Sequence, residues 1–337
     1  MNGSAMMSSL DLNSTAGHRA PLLFALDCAQ GFARQISDAL GQPLARYESR
    51  DFDDGEFKLR PLESVRGHDT YVIHTLRGTA ERGVNDRLVR LLFFVAALRD
   101  AGARRVTVVT PFLCYARKDR RTKHRDPLSL RYVAQLFEAV GTDCVVVLEV
   151  HNPAAFENAF RCPTCLLEAD APIANAVADQ VGSLPVVVMS PDPGGVKRAE
   201  RFRGVLAQLS GHSVGSGFID KQRSEGVVTG SAVVGEVAGH AVIIVDDMIV
   251  TGGTLLRAAQ ACRRAGAATV IAAATHGLFT PPAQALFDAD GPDHIIVTDS
   301  VPPVPGIDDY VRLQRVSVAR LVADAIAALS DVGTGCV

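Results

Sequence analysis

The chain has 337 residues, 47% of them hydrophobic and 21% charged, with a formal net charge of −3. That length suits two domains of roughly 150 residues each, and the apolar fraction is large enough for packed cores, which excludes wholesale disorder. The near-neutral balance excludes a general binder of nucleic acid or anionic membrane, because both need a strong positive excess, so any polyanion site must be local.

In chain order, residues 1–20 are rich in Ser, Gly, Asn and Met and lack the basic patch and apolar core of an export signal. They read as a tail without chemistry of its own. No run reaches the ~18 consecutive apolar residues that a membrane helix needs, which points to the cytoplasm. From there the pattern predicts a strand over 70–75, a helix over 88–100, a strand over 106–111, a helix over 128–140 and a strand over 144–150. Such alternation implies a parallel sheet. Val133, Leu136, Phe137 and Val140 recur at helical spacing and Gly141 follows as a stop signal, so this apolar stripe is core rather than a cofactor box.

The second half repeats the plan, with strands predicted over 186–190, 241–247, 270–275 and 294–298 and a helix over 255–265. Leu98-Arg-Asp-Ala-Gly-Ala-Arg-Arg-Val106 echoes Cys262-Arg-Arg-Ala-Gly-Ala-Ala-Thr-Val270, each being a helix end, a Gly stop and the next strand. The expected fold is α/β, with two related domains of mainly parallel sheets flanked by helices, over 21–165 and 166–335. Ligands of such sheets bind just beyond the carboxyl ends of the strands. The seven cysteines are scattered, several within apolar strand-like runs where a free thiol packs as a small hydrophobe. Cys162 and Cys165 form a short-spaced pair, but a zinc site needs two further ligands at suitable spacing and no second such pair exists.

The sharpest signal is Val245-Asp246-Asp247-Met248-Ile249-Val250-Thr251-Gly252-Gly253-Thr254, between an apolar strand and an amphipathic helix. Adjacent carboxylates at a strand end accept hydrogen bonds from vicinal sugar hydroxyls. Paired glycines let backbone amides wrap a phosphate at a helix N-terminus, and the hydroxyls of Thr251 and Thr254 add donors. An N-capped helix after a strand would need only Thr254 and would leave the paired Asp and Gly residues unexplained. Gly194 and Gly195 can similarly bring amides near an anion.

This turn resembles the binding motif of phosphoribosyltransferases and ribose-phosphate pyrophosphokinases. Phe52-Asp-Asp-Gly-Glu56, Glu63-Ser-Val-Arg-Gly67, Asn85-Asp86, Tyr115-Ala-Arg-Lys-Asp-Arg120, Val150-His151, Ser190-Pro-Asp-Pro-Gly-Gly195, Asp220-Lys-Gln-Arg223 and Ala274-Thr-His-Gly277 resemble the pyrophosphokinases, in that family's order, from about residue 24 to 330. The resemblance implies a phosphoribosyltransferase-like fold and transfer of the diphosphate of MgATP to O1 of ribose 5-phosphate, giving phosphoribosyl diphosphate and AMP. It implies that Phe52, Asp54 and Glu56 form a base-recognising loop offered to a neighbouring subunit of a homo-oligomer, commonly a hexamer, with Arg117, Lys118, Asp119 and His151 on the receiving ATP side. Without it, Asp53-Asp54-Gly55 would read simply as a turn.

By the same resemblance, His151 and Asp192 hold Mg²⁺, and Asp192, Gly194 and Gly195 form the diphosphate loop, with Lys197 and Arg198 nearby. Asp246, Asp247, Thr251, Gly252, Gly253 and Thr254 take ribose 5-phosphate. Lys221 and Arg223, in a segment expected to be a loop after a strand ending at Asp220, are the catalytic pair that offsets charge on the transferring phosphoryl group. Four positions depart from the family pattern: Val250 for Asp, Lys118 for Gln, Glu149 for Asp and Ser224 for Pro. The departures keep open a non-catalytic regulatory paralogue, and the shared turn keeps open a phosphoribosyltransferase. Retention of Lys221, Arg223, His151 and Asp192 argues against the first, and Phe52 to Glu56 against the second.

Overall fold

The structure, a computed structural model, describes residues 20–224 and 227–331. The first half runs β1 (Leu22–Ala25), α1 (Gln30–Leu40), the hairpin strands β2 (Tyr47–Asp51) and β3 (Phe57–Pro61), β4 (Asp69–Ile73), α2 (Val84–Asp100), β5 (Arg105–Thr110), α3 (Ser129–Ala139), β6 (Cys144–Leu148), α4 (Pro153–Ala159) and β7 (Thr164–Leu167). Strands β1, β4, β5, β6 and β7 form a wholly parallel sheet in that order. A parallel sheet is covered on both faces, which is why β6 reads as an unbroken apolar run. On one face Phe24, Val72, Val108 and Val147 meet Leu91, Phe94 and Val95 of α2 and Phe137 of α3. On the other, Leu23, Tyr71, Ile73 and Val146 meet Ala33 and Ile36 of α1.

The second half follows as α5 (Asp170–Val181), β8 (Val186–Ser190), α6 (Val196–Ser210), β9 (Val214–Ser224), β10 (Val227–Val234), β11 (Ala241–Ile249), α7 (Gly253–Arg264), β12 (Thr269–Gly277), β13 (His294–Thr298), β14 (Leu313–Val316) and α8 (Ala319–Asp331). Its sheet has the order β10-β9-β8-β11-β12-β13-β14 and is parallel apart from the β9–β10 pair. Alternate residues of the central strands serve opposite faces, as the pleat requires. Ile243, Ile271 and Ile296 face α5 and α6, whereas Val242, Val270 and Ile295 face α7. The chain winds outward from β8 to β9, then outward the other way from β11 to β14. Strand order therefore reverses between β8 and β11, which opens a crevice at their carboxyl ends.

Several details differ from the pattern reading. Strand β6 stops at Leu148 because Glu149 adopts φ +46, a left-handed conformation that ends the ladder. Strand β9 does not end at Asp220 but runs to Ser224, where antiparallel pairing with β10 satisfies its backbone groups, Lys221 opposite Ser231 and Arg223 opposite Val228. Strand β7 straddles the division expected between residues 165 and 166 and pairs with β6 in the first sheet. Helix α8 also crosses back. Its Val322, Ala323, Ile326 and Leu329 join the core under α1, Tyr71 Oη shares a 2.9 Å hydrogen bond with Ser330 Oγ, and Arg105 Nη2 donates to Leu329 O at 2.7 Å. One face of a five-stranded sheet is too wide for α1 alone, and α8 supplies the missing apolar stripe.

Candidate active site

A cleft of about 1150 Å³ lies between the carboxyl ends of β6, β8 and β11 and takes side chains from both halves. From β11 come Asp246 and Asp247, followed by Val250, Thr251, Gly252 and, on α7, Thr254. Gly252 holds φ +72, and a Cβ there would lie 2.5 Å from Leu286. Only glycine fits both the angle and the contact. Helix α7 has Gly252 as its N-cap, with no side-chain hydrogen bond to its first amides, so Thr254 does not cap it. Those amides, with the positive end of the helix dipole, are available to an anion. Gly253 belongs to the turn without lining the cleft. Val250 lines the cleft beyond the acidic pair, and its carbonyl accepts from Thr280 N at 2.8 Å and Thr280 Oγ1 at 3.0 Å.

The turn after β8 brings Asp192, whose Oδ1 accepts from Gly194 N at 3.0 Å and Gly195 N at 3.3 Å. The two amides expected to face a diphosphate are thus turned onto the aspartate that caps their turn. A Cβ at Gly195 would lie 2.7 Å from Ser190 Oγ, so the loop packs close to β8 at that residue. Helix α6 then presents Lys197, Arg198 and Arg201 to the cleft. The mark of Arg201 in the sequence was its spacing, three residues beyond Arg198 and so on the same helical face.

From the first sheet, His151 reaches across and its Nδ1 stands 3.0 Å from Asp247 Oδ2. Asn152 caps α4 by accepting from Ala155 N at 3.2 Å, and its Nδ2 donates to Asp119 Oδ2 at 2.7 Å, tying the loop after β5 to the site. Arg117, Asp119 and Arg120 line the cleft. Lys118 does not: its Nζ lies 2.8 Å from Asp126 Oδ2, which neutralises the cation expected beside the nucleotide. Phe52, Asp54 and Glu56 stand outside the cleft at the exposed β2–β3 turn, where Phe52 N donates to Glu56 O and Glu56 N to Asp54 Oδ1. Lys221 and Arg223 fall on β9, but their side chains lie outside the described residues.

The carboxylates differ in charge state. Burial, then hydrogen bonding and repulsion from Asp247, pushes the Asp246 carboxyl up to about 8. Burial works against the charge of Asp247 too, but the hydrogen bonds from His151 and Asp246 and the nearby Arg198 hold it well below the usual carboxylate range. The pair thus shares one negative charge near neutral pH. His151 is raised above its ordinary value, chiefly by its bond to Asp247. Burial raises Glu149 as well, against the pull of Arg201 and Arg198. Among the described residues no group of three or more His, Cys, Asp and Glu side chains forms a metal cage.

Comparison with known proteins accords with this arrangement. Residues 22–141 match the family profile described as the N-terminal domain of ribose phosphate pyrophosphokinase, and residues 222–333 match that of the phosphoribosyl synthetase-associated domain. Ribose-phosphate pyrophosphokinase from Parasynechococcus marenigrum (strain WH8102) is 35% identical over 306 residues, covering 90% of this chain and 89% of that protein. Ribose-phosphate pyrophosphokinase 1 from Streptococcus pyogenes serotype M1 is 34% identical over 316 residues, covering 92% and 94%. The crystal structure of phosphoribosylpyrophosphate synthetase from Mycobacterium smegmatis superposes with a TM-score of 0.84 at 33% identity, covering 93% of this chain and 99% of the other. With that fold and that extent of likeness, the chain belongs to the ribose-phosphate pyrophosphokinase family.

Proposed function

We propose that this chain moves the diphosphate of MgATP onto O1 of ribose 5-phosphate, releasing AMP and phosphoribosyl diphosphate. The observation that carries the reading is a single cleft with two unlike walls: an acidic pair and a phosphate turn on β11, and a cationic loop with His151 on the first sheet. A sugar phosphate suits the first wall and a triphosphate the second.

In this reading the α7 amides, Thr251 and Thr254 hold the 5-phosphate, and Asp246 and Asp247 accept from the ribose hydroxyls. A protonated Asp246 can also donate, so the pair offers both hydrogen-bond senses to a sugar. Arg117, Arg120 and Lys197 draw the triphosphate in, and Asp119 with Asn152 orients the loop that carries two of them. O1 attacks the β-phosphorus in line, the bond from β-phosphorus to the oxygen bridging the α-phosphate breaks, AMP leaves with that oxygen, and the O1 proton passes to solvent. Lys221 and Arg223 serve as the catalytic cations over the transferring group.

The donor set suits a Mg²⁺ that arrives on the triphosphate rather than one caged by protein. Oxygen donors Asp192, Asp246 and Asp247 share the cleft without forming a closed cluster, and Mg²⁺ prefers oxygen ligands and retains waters. Asp192 and His151 would hold it, and it would supply charge neutralisation on the phosphates. The exposed Phe52 turn, outside its own cleft, is suited to the nucleotide site of a second copy, which favours a homo-oligomer. No described helix is long and apolar enough to cross a membrane. We assign the chain to the cytoplasm, where ATP and sugar phosphates are found.

The test is incubation of the full-length protein with ribose 5-phosphate and MgATP, following both products by chromatography. Equal amounts of AMP and phosphoribosyl diphosphate that vanish in Lys221→Ala are expected. Absence of product with every nucleotide donor, inorganic phosphate included in the buffer, would replace this reading by a non-catalytic paralogue.

A further inference from the structure

Glu149 stands where the two halves of the chain meet, and the second half grips it at three points. Its backbone is left-handed at φ +46, a conformation that non-glycine residues hold only when their surroundings enforce it. Its amide donates to Leu167 O at 2.8 Å within the first sheet, while its carbonyl accepts from Nε2 of the buried His276 on β12 at 3.3 Å. Its carboxylate is buried, with Oε2 2.7 Å from Arg201 Nη2 and Oε1 3.4 Å from Arg198 Nε, both on α6. Two residues further on, His151 meets Asp247 of β11.

Arg201 lines the cleft and would pass for a phosphate ligand on position alone. Its charge is already engaged. Besides Glu149 it contacts Glu168 Oε1 at 2.9 Å and the carboxylate of Asp170, three acids around one guanidinium. A phosphate would have to displace a carboxylate to reach it. Arg198, by contrast, spans from Glu149 to within 3.6 Å of Asp246 Oδ1 and 3.9 Å of Asp247 Oδ1. The sequence of contacts Arg201, Glu149, Arg198, Asp246 and Asp247 joins α6 to the end of β6 and to the acidic pair.

We propose that Glu149 and Arg201 are positioning residues, a latch between the two sheets that sets the ATP wall of the cleft at its working distance from the sugar-phosphate wall. Neither touches substrate. A buried ion pair adds little stability over a well-packed apolar pair, so its physical use here is registry, the same use that justifies a strained backbone at the same residue. Arg117, Arg120 and His151 are placed by the first sheet and its loops, and the acidic pair, the phosphate turn, Asp192 and Lys197 by the second. Loosening the latch therefore leaves each wall intact and spoils only their mutual placement, which controls attack geometry rather than binding.

This inference rests on the reaction proposed above, and its test is chosen to fail separately. Glu149→Gln, Arg201→Met and the conservative Arg201→Lys are compared with the parent in three measurements: calorimetric binding of MgATP and of ribose 5-phosphate singly, kcat, and calorimetric unfolding. Binding within about twofold of the parent, kcat lower by about 100-fold in Arg201→Met and partly recovered in Arg201→Lys, and one unfolding transition resolving into two are expected. Weaker binding of either substrate with kcat preserved would make Arg201 a substrate ligand and overturn the proposal. Unchanged kcat, binding and unfolding would overturn it too. Should the parent form no product, the reaction fails, but unfolding still decides the latch: two transitions in the variants support it, one transition throughout refutes it.

Discussion

Asp126 gathers four hydrogen bonds on one oxygen, from Lys118 Nζ at 2.8 Å, Thr122 N at 3.0 Å, Thr122 Oγ1 at 2.7 Å and Lys123 N at 3.0 Å. Lys118 and the Thr122 donors hold its carboxyl well below the usual carboxylate range. The loop therefore winds around Asp126, and Lys118 is its staple while Arg117 and Asp119 on either side face the cleft. Sequence neighbours suggested otherwise, because Lys118 sits between two site residues and its partner lies eight positions away. Lys118→Met is expected to leave the ratio of kcat/KM for ATP to that for GTP unchanged, since the ammonium is held on Asp126 outside the cleft. Asp126→Ala is expected to raise KM for ATP several-fold, leave KM for ribose 5-phosphate alone, and speed tryptic cutting at Arg120, Arg121 and Lys123. A changed nucleotide preference in Lys118→Met, measured as the ratio of kcat/KM values, would return the lysine to the nucleotide site.

At the scale of elements, the β11-turn-α7 unit was legible because its chemistry is consecutive in the chain. Which glycine matters was not, since that depends on Leu286 arriving from a distant segment. At Gly252 a methyl group meets both a left-handed backbone and Leu286 at 2.5 Å, whereas at Gly253 it meets only the flexible end of Arg257 at 3.2 Å. Gly252→Ala is expected to cost roughly 2–5 kcal/mol, from left-handed strain and overpacking together. Gly253→Ala, on the first turn of α7, is expected to be near neutral in stability. Denaturant unfolding of the two variants measures the contrast, and equal losses would mean that the turn relaxes. The hairpin strands β2 and β3 were hidden for the opposite reason: Tyr47–Asp51 and Phe57–Pro61 are half-exposed and rich in charge, so they carry little apolar signal. Arg82 and Arg90 bind Asp51 and hold its carboxyl at about 2, anchoring that hairpin to α2 through contacts no pattern encodes.

For the molecule as a whole, two buried histidines set a pH dependence. Burial depresses His74 and His276 from 6.5 to about 4, so both are neutral in the fold. At these two sites the unfolded chain takes up protons between about pH 6.5 and pH 4 that the folded chain refuses, so their contribution to stability is lost as pH falls through that window. Each site contributes up to about 3 kcal/mol. Urea unfolding at a series of pH values should show this decline, and His276→Gln should flatten it by one site's share. Identical slopes in parent and variant would show that His276 is solvated. His276 also bonds Glu149 O, so acidification loads the same junction that joins the two halves.

The sequence by itself determined what is local or periodic: the parallel α/β class, the repeated plan of two halves, and the turn from Asp246 to Thr254. Each rests on residues close together in the chain, where backbone geometry and burial period leave few alternatives. Tertiary structure alone decided that α8 completes the first sheet, that Lys118 turns away from the cleft, that the Gly194 and Gly195 amides turn onto Asp192, and that Glu149 joins Arg201 and His276. For α8 and Glu149 the partners lie far apart in the chain, whereas Lys118 and the two glycines choose among groups nearby. A side chain's charge fixes what it can bind, but only packing fixes which partner reaches it first.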